Sequence, residues 1–270
     1  MKKTVFTIVV ILLLIAFGVS AFMVGSYVLE SKKQEQLRNE LSNMVADATQ
    51  PAAESTAPAA TTEATEAPTE AVEETDPPEP TMIPELAEVY EKNQDTVGWI
   101  KIEGTKMDNP VMQTPDDPNY YLKRDFNHNA SDWGTVYAWS AADLNEPSDN
   151  ITLFGHNMKD GSMFAALNAY TSKAAWEKNP LIFFNTLTEY HTYKIFAVFK
   201  VSANIGSFAY HQFVDAANQE DFDDFVSTCK ALSFYDTGIT PQYGDKLICL
   251  STCEYTLDNG RLVVCAVRIT

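Results

Sequence analysis

Cys253 and Arg261 stand eight residues apart in a chain that holds only four cysteines and four arginines. The run Leu247-Ile248-Cys249-Leu250-Ser251-Thr252-Cys253-Glu254-Tyr255 reads as a buried strand, and Arg261 to Val267 as a second one. Between them lies Asp258-Asn259-Gly260, and an Asn-Gly step between β-rich runs signals a hairpin turn. Reversal there brings the thiol and the guanidinium together at the open end of two strands. A thiol beside a guanidinium at a strand end suits a nucleophile with a charge stabiliser close by. The missing partner is a base or acid, and His156 has the setting for one. It ends an apolar strand, with Gly155 before it and the polar Asn157-Met158-Lys159-Asp160-Gly161 after it. Each residue has a plainer reading: a histidine satisfied by loop backbone, an arginine that is surface charge.

The other candidates carry less. His128 sits among Asn127, Asn129 and Ser131 in a loop, where solvation is the default, and His191 and His211 have no evident partners. Cys229, Cys249 and Cys265 fall in apolar runs and read as small buried hydrophobes, not as disulfide partners. Cys249 and Cys253 lack the second ligand pair that a structural zinc site needs.

The elements that must position these groups are mostly strands. Residues 97–102, 111–113, 134–139, 150–156, 181–184 and 190–201 alternate or run apolar as strands do. A short helix begins at Pro84, a second is expected over Gly161–Tyr170, and an amphipathic helix over Asp215–Leu232 carries Phe222, Phe225, Val226 and Cys229 on one face. This pattern predicts a mostly-β (α+β) barrel or sandwich, not a βαβ repeat.

The 270 residues allow one sizeable domain with appendages, and the net charge of -18 argues against a nucleic-acid partner. Much of that acidity is local, because no Lys or Arg occurs between Arg38 and Lys92. Thr4 to Leu29 carries no charge and as a helix would span roughly 35–40 Å, enough to cross a bilayer. Val19-Ser20-Ala21 would suit signal cleavage, but the apolar run continues beyond it, so residues 1–29 are expected to be an uncleaved anchor. Lys2 and Lys3 then place the N-terminus in the cytoplasm and the remainder outside the cell. Residues 30–45 read as a juxtamembrane helical stalk. Residues 46–82, rich in Ala, Thr, Glu and Pro, read as a disordered acidic linker, and 83–270 as the folded domain.

Leu250-Ser251-Thr252-Cys253, Arg261 downstream and Phe154-Gly155-His156-Asn157-Met158 upstream resemble the sortase family, and class B most closely. Gly98-Trp99-Ile100, Tyr120-Tyr121-Leu122 and the long helix before the cysteine strand add to the likeness, which runs from about Pro84 to the C-terminus. The resemblance implies an eight-stranded β-barrel with an N-terminal helix. It implies a cysteine transpeptidase with Cys253 as nucleophile, His156 as proton-transfer residue and Arg261 as oxyanion and substrate stabiliser. Ser251, Thr252 and Glu254 would contact the bound peptide, and Tyr121 and Leu122 would wall the groove. The implied partners are secreted proteins with a C-terminal Pro-x-Thr-type sorting signal and an amine from a cell-wall precursor or a pilin; no cofactor is required. Cys249, where the family often has Thr, and Phe154, where it often has Tyr, depart from the pattern without removing a catalytic group. An L,D-transpeptidase would need a Ser-x-Gly-Cys element, which is absent. The alternative from another class is a sortase-like surface module without activity.

Overall fold

The computed structural model describes residues 2–48 and 81–270; the expected linker lies outside the described residues over 49–80. Eight strands close into a barrel: β1 (Thr96–Lys101), β2 (Asp108–Met112), β3 (Val136–Ala138), β4 (Asn150–Phe154), β5 (Leu181–Thr186), β6 (Thr192–Ser202), β7 (Leu247–Glu254) and β8 (Gly260–Arg268). Around the barrel they follow the order β1-β2-β3-β4-β7-β8-β6-β5. The β2–β3 and β4–β7 pairs are parallel and the others antiparallel.

Two buried layers explain why β7 and β8 read as unbroken apolar runs. Ile248, Leu250, Leu262 and Val264 point into the barrel, where Ile100, Val111, Leu153 and Ile195 join them. Leu247, Cys249, Val263 and Cys265 point outwards and are covered by α4 (Gln219–Leu232), through Phe222, Phe225, Val226 and Cys229. The helix begins four residues later than its apolar pattern suggests. Asn218 takes an extended conformation and caps it by accepting a hydrogen bond from the Asp221 N–H at 3.1 Å. Asp215 instead accepts from the Asp149 N–H at 3.0 Å, tying the approach to α4 back to β4.

Two local expectations change. The segment after Gly161 is a 3-10 helix over Phe164–Thr171, not an α-helix from Gly161, and a short α3 (Lys173–Lys178) follows it. Gly161 and Met163 have φ of 80° and 54° and form a turn, and Phe164, Leu167 and Tyr170 are buried at the three-residue period of a 3-10 helix. The β7–β8 connection is a loop over residues 255–259, wider than a two-residue Asn-Gly hairpin, although Asn259 supplies the left-handed φ of 50°.

The larger change concerns the N-terminus. Helix α1 (Lys2–Ala48) runs unbroken from the apolar segment into residues 30–45, and that second half lies against the barrel instead of standing off as a stalk. Leu41 is only 2% exposed, and Leu37, Met44 and Val45 pack with it against α2 (Pro84–Lys92) and the Trp99 side of β1. The first half contains an 18-residue window of mean hydropathy 2.9, none of it buried in the protein. Its length and composition suffice to cross a membrane.

Candidate active site

The strand pairing places Cys253 directly opposite Arg261, with Ser251 opposite Val263 and Cys249 opposite Cys265. Directly opposed residues hold their Cβ atoms about 4.5–5.5 Å apart, so thiol and guanidinium share one rung on the outer face. Arg261 is steadied by its own turn: Nη1 donates to the Gly260 carbonyl at 2.9 Å and to Asn259 Oδ1 at 3.2 Å. Gly260 is required there, since a Cβ would stand 2.6 Å from the Glu254 carbonyl oxygen.

His156 reaches the same place from β4. Phe154 pairs with Ser251 in the parallel ladder, and His156 lies two residues past Phe154, as Cys253 lies two past Ser251. Three hydrogen bonds fix that alignment. The Gly155 N–H donates to the Ser251 carbonyl at 3.1 Å, Thr252 Oγ1 to the Gly155 carbonyl at 2.7 Å, and Asn157 Nδ2 to the Cys253 carbonyl at 3.0 Å. Gly155 admits no side chain, because a Cβ would lie 2.6 Å from the Phe164 ring. The His156 ring is oriented through Nε2, which donates to the Leu122 carbonyl at 2.7 Å. A carbonyl can only accept, so this bond puts a proton on Nε2, and a second on Nδ1 gives the imidazolium.

All three groups open onto one cavity of about 430 Å³ that also takes in Leu122, Ser251 and Thr252. Ser251 and Thr252 are themselves buried: Ser251 Oγ is 2.5 Å from the Tyr210 hydroxyl, and Thr252 spends its hydroxyl on Gly155. They shape the floor and present little polar surface to a ligand. Two expected contacts are not brought to the cavity. Tyr121 is fully buried behind Leu122, and its hydroxyl donates to Asp95 at 2.7 Å and accepts from Asn93. Glu254 is 8% exposed and turns away to Lys200 Nζ at 2.8 Å and to the Thr256 and Leu257 N–H groups. Partial burial would raise its pKa, but those bonds prevail and hold it at about 2.

Sequence reasoning missed the aromatic wall. Trp139 from the end of β3 meets His211 edge-on at 5.0 Å, and both line the cavity with Phe154, Tyr137 and Tyr210. Burial, and then Arg261, push the His211 pKa down, which favours the neutral imidazole. Burial likewise raises the Tyr137 hydroxyl to about 12. Nothing in the spacing of these residues links the β6–β7 connection to β3 and β4; only barrel closure does.

A family model described as the sortase domain matches residues 100–269. The chain belongs to the sortase family. Sortase B of Listeria monocytogenes is 33% identical over 184 residues, covering 67% of this chain and 72% of its own. Sortase B of Staphylococcus aureus is 28% identical over 185 residues, 68% of this chain and 74% of its own. The barrel also superposes on a Staphylococcus aureus sortase B–substrate complex with a TM-score of 0.64, at 27% identity over 70% of this chain and 86% of that one. A Bacillus anthracis sortase B crystal structure shares the fold at a TM-score of 0.70 and 24% identity, over 90% of this chain and 99% of that one. The protein is a class B sortase, and its enzyme class is that of a cysteine transpeptidase. The closed eight-stranded barrel with its N-terminal helix is the architecture the sortase resemblance implied.

Proposed function

We propose that this sortase is a membrane-anchored transpeptidase that joins secreted proteins to an amine through a thioester on Cys253. The observation that carries the reading is the alignment of Cys253, Arg261 and His156 on one cavity from three strand ends. The Cys253 thiolate attacks the scissile peptide carbonyl, forming a C–S bond. Arg261 balances the oxyanion as charge develops on the carbonyl oxygen. His156, as imidazolium, gives a proton to the leaving nitrogen as the C–N bond breaks, which leaves the thioester and a neutral imidazole. An incoming amine attacks the thioester and loses its proton to His156 as the C–S bond breaks, which regenerates the Cys253 thiolate and the His156 imidazolium. The donors are secreted proteins with a C-terminal Pro-x-Thr-type signal, and the acceptor is an amine of a cell-wall precursor or a pilin.

Residues 1–29 anchor the protein as a single span with a cytoplasmic N-terminus, and 83–270 act outside the cell. The length and apolarity of the first half of α1 support this placement. A module without activity would have no need for a partly exposed thiol, a clamped guanidinium and an oriented imidazole at one rung.

The test is mass spectrometry of the full chain in detergent with a set of sorting-signal peptides. The expected result is a mass gain on Cys253 with one peptide, absent in Cys253→Ala and discharged by an added amine. No adduct with any peptide, from a protein whose Cys253 still alkylates, would refute the substrate class. A folded protein whose Cys253 does not alkylate would refute the enzyme mechanism as written.

A further inference from the structure

Asp160 lies four residues beyond His156, in the loop that joins β4 to the following 3-10 helix, and its two carboxylate oxygens do different work. The loop is closed at its base by the Phe164 N–H, which donates to the His156 carbonyl at 2.9 Å, and by a bridge between Asn157 and Met163. At its tip, Asp160 Oδ1 accepts from the Ser162 N–H at 2.9 Å and from Ser162 Oγ at 2.5 Å. Oδ2 reaches out of the loop, accepting from Trp133 Nε1 at 3.0 Å and from Ser31 Oγ of α1 at 2.9 Å. Lys106 Nζ holds the Asp160 carbonyl at 3.0 Å.

Trp133 makes this more than a loop tie. It is 2% exposed, its ring lies 5.1 Å from that of Tyr27, and the next residue, Gly134, packs on the backbone under His156. A Cβ on Gly134 would stand 2.7 Å from the Leu122 carbonyl oxygen, the oxygen that receives the His156 Nε2 proton. Asp160 therefore touches both supports of the imidazole: the loop that carries it and, through Trp133, the backbone that orients it. On α1 the contacting residues Tyr27, Ser31, Gln34, Arg38 and Leu41 recur at alternating steps of four and three, the stripe a helix presents to a flat partner. Arg38 adds a positive charge that acts on Asp160.

We propose that Asp160 is a positioning residue for His156, linking the catalytic-histidine loop to the membrane-proximal half of α1 through Ser31 and Trp133. The proposal rests on His156 being the proton-transfer residue. A loosened loop still leaves a reactive thiol, but the imidazolium no longer meets the leaving nitrogen. The near-isosteric Asp160→Asn separates the two oxygens: its carbonyl keeps the Ser162 turn, while its NH₂ faces the Trp133 N–H donor to donor.

The experiment compares the full chain in detergent with Asp160→Asn, Ser31→Ala and the double variant, reading peptide turnover, its pH profile, Cys253 alkylation and melting temperature. Asp160→Asn is expected to lower kcat about 10–100-fold with KM nearly unchanged and to displace the histidine limb of the pH profile, while the alkylation rate holds. Ser31→Ala is expected to lower kcat in the same direction and by less, and to add little once Asp160 is Asn. An Asp160→Asn enzyme with unchanged kcat and pH profile would overturn the proposal. So would one whose turnover, alkylation and melting temperature fall together, because Asp160 would then be merely structural. His156→Ala, run alongside, separates the underlying assumption: full turnover there overturns the role of His156 and this role with it.

Discussion

One strand pair holds two cysteine sites with opposite properties. On the outer face of β7 and β8, Cys253 faces Arg261 at the open end, and two rungs inwards Cys249 faces Cys265. Both inner thiols are free and fully buried under α4, with their Sγ atoms 2.7 Å apart, and burial pushes both pKa values up. Cys253 is partly exposed and its opposite residue is a cation instead of a second thiol. Residue type, strand and face are the same. The end of the α4 cover and the change of cross-strand partner separate the proposed nucleophile from a core side chain.

The largest effect expected from breaking that contrast is at the outer rung. Cys253→Ala should reduce peptide turnover by at least about 10⁴-fold, as loss of a nucleophile does. Full-length protein and peptide cleavage followed by chromatography would check it, and residual turnover within tenfold would place the nucleophile elsewhere. Arg261→Ala should cost about 10²–10³-fold in kcat, the range for losing an oxyanion donor, with Cys253 still open to alkylation. A change in KM alone would show that Arg261 binds substrate and does not stabilise the oxyanion.

The inner rung should respond in the opposite sense. A mild alkylating reagent on the folded protein should modify Cys253 and spare Cys229, Cys249 and Cys265, with all four reacting in denaturant. Mapping the adducts would check this, and early labelling of Cys249 or Cys265 would show that α4 opens. Cys249→Val keeps an apolar side chain of similar size and should cost less than about 1.5 kcal/mol in denaturant unfolding while leaving turnover intact.

The contrast also marks what the sequence could reveal. The Cys253–Arg261 pairing was legible because a strand, a turn and a strand are local, and one residue of register decides it. His156 was legible by its glycine, and the packing of Phe164 on Gly155 explains why no other residue would serve. The aromatic wall was not legible, because Trp139, Phe154 and His211 meet only when a parallel β4–β7 pair closes the barrel. The second half of α1 misled for a different reason. Charged and other polar residues together dominate its composition, and its buried stripe is partly polar, built from Ser31, Gln34 and Arg38, so it resembles a solvated helix until its partners are known. Tyr121 and Glu254 were placed at the groove by the resemblance to the family, but neighbours along a strand face opposite ways, and each of these side chains turns from the cavity to other partners.

Glu254 sharpens the comparison with the smallest effect. It adjoins Cys253 yet turns to Lys200 and to the loop that leads to Arg261. Its pKa of about 2 lies below that of an unfolded glutamate, near 4.3. Folding therefore favours the charged form: the stabilisation is fully present above the unfolded value and is lost as pH falls towards 2. Asp160 behaves alike: partial burial raises its pKa, but bonds from Ser162, Trp133 and Ser31 outweigh it and hold the carboxyl at about 2. The test is thus a difference in slope between variants. Glu254→Gln should melt less steeply than the parent protein as pH falls from 6 to 3, with turnover at neutral pH within about threefold, as for a residue that does not touch the reacting atoms. Parallel melting curves would show that the Lys200 bond contributes nothing to the loop. A large rise in KM would return Glu254 to the peptide groove that its position in the sequence suggested.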